Sequence, residues 1–124
     1  MMNNSFTPFL SVIFLLALPF GVGHAQTDTE FWFVAPEVWA AHGDNPIVIR
    51  FATFDAAANI TIDQPANPAF PAQNINVAAN ETATVNLTNW MGMIENKPVN
   101  TVLNYGLRIV SDALITAYYE VNHN

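Results

Sequence analysis

The side chains that could bind a metal ion lie in one short segment near the start of the chain. Carboxylates are ligands that Ca²⁺ prefers, and an amide oxygen can complete such a site. The segment lacks the regular Asp-x-Asp-x-Asp-Gly spacing of a calcium-binding loop. We therefore interpret it as a solvated acidic surface and predict no bound metal. Its candidate ligands are Asp28, Glu30, Glu37, His42, Asp44 and Asn45.

Nucleophilic catalysis has little support in the sequence. Ser111 is the single serine after residue 25, and His42 lies in an Ala-His-Gly-Asp segment typical of a turn. A Ser111–His42–Asp112 triad is not favoured, because adjacent residues of a strand point to opposite faces. Ser111 and Asp112 are better interpreted as a turn or the cap of a strand. Paired-carboxylate glycoside hydrolysis requires acids facing each other across a cleft, and no spacing indicates such a pair. We predict that the protein is not an enzyme.

Aromatic side chains are the remaining candidates for binding, since an exposed ring can stack on a sugar or contact a protein partner. About half of these rings are expected in the core, because successive residues of a strand must divide between its two faces. We select Trp39 and Trp90 as candidate binding residues. The full set is Trp32, Trp39, Trp90, Tyr105, Tyr118 and Tyr119.

The composition excludes several classes of protein. The 124 residues carry ten acidic and three basic side chains, for a net charge of −7, and so few basic residues cannot form a nucleic-acid-binding surface. The absence of cysteine excludes disulfides and thiolate metal centres. Hydrophobic residues make up 52% of the chain, which is too many for a disordered protein. We predict no cofactor and no nucleic-acid partner.

Residues 1–25 have the features of a secretory signal peptide. They carry no charged side chain, residues 9–20 are almost entirely apolar, and the small residues Gly23 and Ala25 fit a cleavage site before Gln26. The apolar run is shorter than the roughly 20 residues that a membrane-spanning helix needs. We predict cleavage after Ala25, a secreted or cell-surface location, and no stable membrane span in the remaining chain.

Residues 26–124 are predicted to form one all-β domain. Apolar residues alternate with Thr and Asn, as in strands with one buried and one solvated face. Turn residues recur at a spacing of about 8–12 positions, which indicates an antiparallel, sandwich-like fold. Residues 64–73 include three prolines and are expected to form a loop, and residues 89–95 or 39–42 could form one helical turn. The predicted strands are residues 29–35, 46–53, 59–63, 74–78, 82–88 and a last region within 107–121.

Two segments together resemble a known family. Residues 29–37, Thr-Glu-Phe-Trp-Phe-Val-Ala-Pro-Glu, are similar to the opening strand of the IgGFc-binding protein N-terminal domain family of secreted bacterial proteins. Residues 105–121 resemble that family's run of a glycine, alternating apolar residues, Ser-Asp, Ile-Thr and aromatics. The resemblance implies a β-rich domain at the start of longer surface proteins, with a binding or adhesion role. It carries over no catalytic residue, and we do not transfer the antibody ligand of the family's name.

The C-terminal end differs from that family. Its members continue with further strands after the segment that matches residues 118–121, whereas this sequence stops at Asn124. We therefore expect a domain that is incomplete at its C-terminus, as in a fragment or a truncated member of the family. Such a domain would expose an unpaired apolar edge.

These observations predict a non-catalytic binding or adhesion module of a secreted or cell-surface bacterial protein, with a protein or glycan ligand at the cell exterior. The alternative is a carbohydrate-binding or glycan-active β domain that uses Trp39 or Trp90 as a stacking platform. A third alternative, a membrane-anchored subunit, depends on an uncleaved leader.

Export is predicted to remove the leader. When the full 124-residue sequence is expressed in a bacterium, mass spectrometry of the exported protein is expected to give an N-terminus at Gln26. The control Ala25→Leu places a bulky residue at the cleavage site and should block processing. Retention of residues 1–25 by the unaltered protein in the membrane fraction would contradict the prediction.

Overall fold

The computed structural model describes residues 26–37, 47–98 and 100–121. Strands dominate, because β-branched and aromatic side chains alternate with polar ones along most of these residues. A 3₁₀ turn (Thr88–Trp90) and a one-turn α-helix (Met91–Ile94) are the helical elements of this described part. The strands are β1 (Asp28–Phe33), β2 (Ala35–Pro36), β3 (Ile47–Thr53), β4 (Ala58–Asp63), β5 (Gln73–Val77), β6 (Thr82–Asn86), β7 (Glu95–Asn96) and β8 (Leu107–Val121).

Strand β8 is the axis of the main sheet. Over its 15 residues, the odd-numbered side chains face the core and the even-numbered ones face outward. Leu107, Ile109 and Ile115 are fully buried, whereas Leu114 and Tyr118 are more than half exposed. This uninterrupted alternation lets one strand contribute to the core along its whole length.

The pairing of β8 places β1 on one edge and both β3 and β4 on the other. β1 and β4 both pair with residues 108–110, so they lie on opposite edges. Asp28 in β1 and Thr53 in β3 both pair with Ile115, so β3 lies on the same edge as β4. Farther from β8, β5 pairs with the outer edge of β4, and β6 pairs with the outer edge of β3. These antiparallel pairings join six strands into one sheet.

The connection between β3 and β4, residues 54–57, interrupts the alternation of inward and outward side chains. The core cluster takes odd-numbered residues from β3 and even-numbered residues from β4, so the alternation shifts by one position between them. The Thr53 hydroxyl stabilises this junction, since it donates to the Ala78 carbonyl at 2.5 Å and accepts the Glu81 N–H at 3.0 Å. Because of the shift, both strands direct their apolar side chains to the same core.

One hydrophobic cluster fills the inward side of the sheet. Leu87 and Ile94 join it from the segment that follows β6, and Phe70 joins it from the proline-rich loop. Trp90 contacts Phe70 edge to face, with the ring centroids 6.2 Å apart. The predicted loop at residues 64–73 is confirmed, and Phe70 shows that this loop also covers the core. The fully buried sheet residues of the cluster are Ile47, Ile49, Phe51, Ala58, Ile60, Ile62, Leu107, Ile109 and Ile115.

A short parallel pair, β2 with β7, brings Ala35 beside Glu95. The Glu95 side chain is fully buried and forms an ion pair with Lys97. The Asn96 side-chain amide donates to the Ala35 carbonyl at 3.0 Å. A buried carboxylate requires such a partner, because desolvating an uncompensated charge is costly. These contacts hold β2 against β7, the strand that follows the helical turn.

These elements confirm the predicted all-β, antiparallel fold. The predicted strands match β3, β4, β5 and β6 closely, while the predicted strand 29–35 divides into β1 and β2. The helical turn predicted at residues 89–95 is observed at Met91–Ile94. Residues 1–25, the alternative turn at 39–42 and the last three residues of the chain lie outside the described part, so the signal peptide stays a prediction.

The interpretation of Ser111 and Asp112 as a turn or a strand cap is wrong, because both residues lie in the middle of β8. The Asp112 carboxylate accepts the main-chain N–H of Asn59 and the side-chain amide of Asn59, each at 2.7 Å. It thereby replaces a main-chain acceptor where β4 joins β8. Both hydrogen bonds lower the pKa of Asp112, and the one from the Asn59 side chain has the larger effect.

Asp112→Asn is expected to make the fold less sensitive to acid. Because the folded-state pKa of Asp112 lies below its ordinary value of 3.8, the carboxylate stabilises the fold above that value, and this contribution is lost as the pH falls through the lowered pKa. Thermal unfolding should show a lower melting temperature for the variant at neutral pH and a smaller decrease on acidification. Asp55→Asn, at an exposed carboxylate outside this contact, is the matched control. Equal acid sensitivity of Asp112→Asn and the unaltered protein would contradict the prediction.

Candidate functional site

The candidate site lies on the edge of β8 that is opposite to β3. The Leu87 N–H donates to the Ile47 carbonyl at 2.7 Å, so odd-numbered residues of β3 direct their main-chain groups toward β6. Even-numbered residues of β3 therefore bond to even-numbered residues of β8, Tyr118 among them. It follows that the N–H and C=O of Ala117 point to the opposite edge. On that edge, no strand of the described residues pairs with β8 beyond Ile115.

A groove with a volume of about 540 Å³ lies beside this edge. Residues 117–119 of β8 form one wall, and residues 26–28 and 30–33 form the other. The pairing of β1 with β8 is irregular between Asp28 and Glu30, at the point where the two walls separate. We call this cavity the β1–β8 groove. Its volume lies in the range of small-ligand sites, roughly 300–1,000 Å³.

Trp32 is the largest exposed side chain of the groove, with 58% of its surface accessible. Two contacts fix the orientation of its ring. The indole N–H donates to Glu30 Oε1 at 2.8 Å, and the Arg108 guanidinium lies 6.0 Å from the centre of the ring. An exposed tryptophan held in this way presents an apolar surface that a ligand can contact with little loss of conformational entropy.

The contacts of Trp32 continue across three strands of the sheet. Trp32 in β1 is opposite Arg108 in β8, which is in turn opposite Asp63 in β4. Arg108 donates to both carboxylate oxygens of Asp63, at 3.0 and 2.6 Å. This bidentate geometry fixes the plane of the guanidinium and, through the hydrogen bond, raises the pKa of Arg108. The sheet thus holds Trp32 through Arg108 on the neighbouring strand β8, and Asp63 on β4 in turn holds Arg108.

Tyr118 forms the opposite rim of the groove and is 53% exposed. It is opposite Arg50, whose Nε donates to Glu120 at 2.5 Å and whose Nη1 donates to the Thr84 hydroxyl at 3.2 Å. The hydrogen bond from Arg50 lowers the pKa of Glu120. A second cavity of about 330 Å³, lined in part by Arg50 and Thr84, also includes Tyr118. Tyr118 therefore stands between the two cavities on the outer face of the sheet.

The β1–β8 groove is acidic. Among the described residues, its walls carry the carboxylates of Asp28 and Glu30 and no Lys or Arg side chain. The three basic residues of the chain, Arg50, Lys97 and Arg108, each form an ion pair with an acidic residue. The groove therefore favours a ligand that carries positive charge or hydrogen-bond donors.

The acidic segment that we considered for metal binding is divided in the structure. Asp28 and Glu30 lie in β1, Glu37 is exposed after β2, and His42 and Asp44 lie outside the described residues. Within the described ranges, no three His, Asp or Glu side chains come together as a candidate metal site.

The structure places Ser111 and Asp112 on opposite faces of β8, as the strand geometry predicts. Ser111 is buried, with 6% of its surface accessible, and Asp112 faces outward. The two side chains therefore do not meet.

Of the two tryptophans selected from the sequence, Trp90 does not line the β1–β8 groove. Trp90 is partly buried and packs against the core beside Phe70, and Trp39 lies outside the described residues. The expected division of the aromatic residues is confirmed, since Phe31 is buried while Trp32 is exposed. The exposure of Trp32 could be predicted from this alternation, because inward-facing neighbours at residues 31 and 33 require residue 32 to face outward.

No protein-family model, curated protein or solved structure matches this chain. The described residues also contain no helix with the length and apolar character required to cross a bilayer.

Glu30→Ala is expected to release the Trp32 indole. Loss of the hydrogen bond should move the Nε1–H resonance of Trp32 upfield in a ¹⁵N-correlated NMR spectrum and increase its exchange with solvent. Trp32→Phe identifies the signal, and Glu81→Ala, at an exposed glutamate outside the groove, is the control. An unchanged Trp32 signal in Glu30→Ala would show that Glu30 does not orient the ring.

Proposed function

We propose that this protein is a non-catalytic binding module of a secreted or cell-surface bacterial protein, and that its ligand binds in the β1–β8 groove. The observation that carries the proposal is Trp32, an exposed aromatic side chain held in one orientation by Glu30 and Arg108. Tryptophan and arginine are enriched among the residues that contribute most to binding energy at interfaces.

The other polar groups of the groove suit recognition of a ligand. They are an amide, a hydroxyl, two carboxylates and one phenol, which donate and accept hydrogen bonds or stack on a ligand. The sheet fixes the main-chain positions of Asp28 and Glu30 on β1 and of Tyr118 on β8, which reduces the entropy lost on binding. These groups belong to Gln26, Thr27, Asp28, Glu30 and Tyr118.

The cell-exterior location in this proposal is supported by the sequence of the leader. An uncharged, apolar segment followed by Gly23 and Ala25 is typical of a signal peptide that is removed on export. The resemblance of residues 29–37 and 105–121 to the IgGFc-binding N-terminal domain family supports a binding or adhesion role, and leaves the ligand open.

A carbohydrate-binding domain is the second candidate function. An oriented, exposed indole can stack on the apolar face of a sugar ring, and carboxylates such as Asp28 can accept hydrogen bonds from its hydroxyl groups. The structure favours Trp32 for this role over Trp90, because Trp90 packs against the core.

Trp32→Ala is expected to weaken ligand binding. The full chain would be exported, purified and tested on a glycan array and on immobilised extracellular bacterial and host polypeptides. The variant should lose at least about tenfold in affinity for the probes that the unaltered protein binds, a typical effect for a central tryptophan.

Phe54→Ala provides the matched control, because Phe54 is an exposed aromatic residue that does not line the groove. It should retain full affinity. Binding that survives Trp32→Ala would show that the ligand uses another surface. Absence of binding to every probe, together with turnover of a sugar or ester substrate, would overturn the binding function itself.

A further inference from the structure

We propose that the β1–β8 groove binds an extended, positively charged polypeptide segment, which adds to the edge of β8 at Ala117 as a further strand. This inference rests on the proposed binding function and specifies the class of ligand. It follows from three features of the groove: its main-chain groups, its charge and its aromatic rims.

The main chain supplies the first argument. Ala117 directs its N–H and C=O toward the groove, beyond the last pairing of β1 with β8 at Ile115. An extended polypeptide offers a donor and an acceptor at every second residue, and it can therefore satisfy both groups of Ala117 at once. The added segment would lie where the chain of β1 leaves the edge of β8, in the space between the two walls.

Charge supplies the second argument. Asp28 and Glu30 line the wall opposite Ala117, and the lining residues that the structure describes include no Lys or Arg. Arg108 attracts Glu30 from beside Trp32, but it is itself paired with Asp63. A peptide with Lys or Arg at alternate positions can place these side chains on one face of the added strand, toward the carboxylates. A second copy of this chain is disfavoured as the occupant, because each copy carries a net charge of −7 and the same acidic groove.

The aromatic rims supply the third argument. Trp32 and Tyr118 stand on the two sides of the groove, and both are more than half exposed. The stem of a Lys or Arg side chain can pack on such a ring while its charged end interacts with the π face. Arg108 already lies over the Trp32 ring, which shows that this ring takes part in a cation–π contact.

The test uses a fluorescein-labelled hexapeptide of alternating Lys and Val, titrated with the full exported chain and followed by fluorescence anisotropy. The same peptide with Glu in place of Lys, and the Lys peptide with alternate amides N-methylated, should each bind at least about tenfold more weakly. The first comparison tests the charge of the ligand, and the second tests main-chain pairing. Added salt should weaken binding of the Lys peptide.

Two variants test the groove from the protein side. Ala117→Pro removes the groove-facing N–H without removing a donor to β3, and it should weaken binding of the Lys peptide at least about tenfold. Circular dichroism and thermal unfolding establish that the variant is folded. If it is not, the double variant Asp28→Asn, Glu30→Gln replaces it, with Asp55→Asn, Glu81→Gln as the matched control at acids outside the groove.

The outcomes separate this inference from the proposed function. Equal binding of the N-methylated and unmodified peptides, or of the Lys and Glu peptides, would overturn strand addition. Glycan binding that Trp32→Ala abolishes and Ala117→Pro leaves intact would also overturn it, while preserving the binding function. Absence of binding to peptides and glycans alike would count against both proposals.

Discussion

The pairing of β8 with three other strands is the constraint on which the rest of the structure depends. This strand carries the inward residues Leu107, Ile109 and Ile115, and it pairs with β1 on one edge and with β3 and β4 on the other. A strand shared by three neighbours fixes their register, because a slip of one residue would turn every apolar side chain away from the core. The irregularity at residues 54–57 and the Asp112–Asn59 contact are local adjustments that keep this alternation intact.

The same pairing also determines how charge is distributed on the outer face. Arg50 and Arg108 are even-numbered residues of the outer face, and each forms an ion pair with an acidic residue of an adjacent strand. Arg50 of β3 pairs with Glu120 of β8, and Arg108 of β8 pairs with Asp63 of β4. Exposed ion pairs of this kind contribute little to stability, because water and salt screen the two charges. Their larger effect here is on surface chemistry, since they occupy both arginines and leave the groove between β1 and β8 acidic.

Much of the fold could be predicted from the sequence, because a period of two is a local signal. The alternation in β3 to β6 identifies each strand and its buried face without knowledge of its partners. Ser111 and Asp112 were misassigned because Ser and Asp are common in turns, whereas the role of Asp112 depends on Asn59, which is distant in sequence. Trp90 was selected and Trp32 was not, because the position of a ring in the core or at a groove depends on how the strands assemble.

The edge of β8 beside β1 combines an acidic surface with main-chain groups that pair with no described strand. A natural sheet normally protects its edges, since an open row of N–H and C=O groups promotes pairing with other chains. Here the edge at Ala117 is flanked by Asp28 and Glu30, and carboxylates repel a second acidic copy while they attract a basic segment. The charge that discourages self-association therefore also selects the partner. This combination gives one physical reason for an acidic surface beside an edge that no described strand covers.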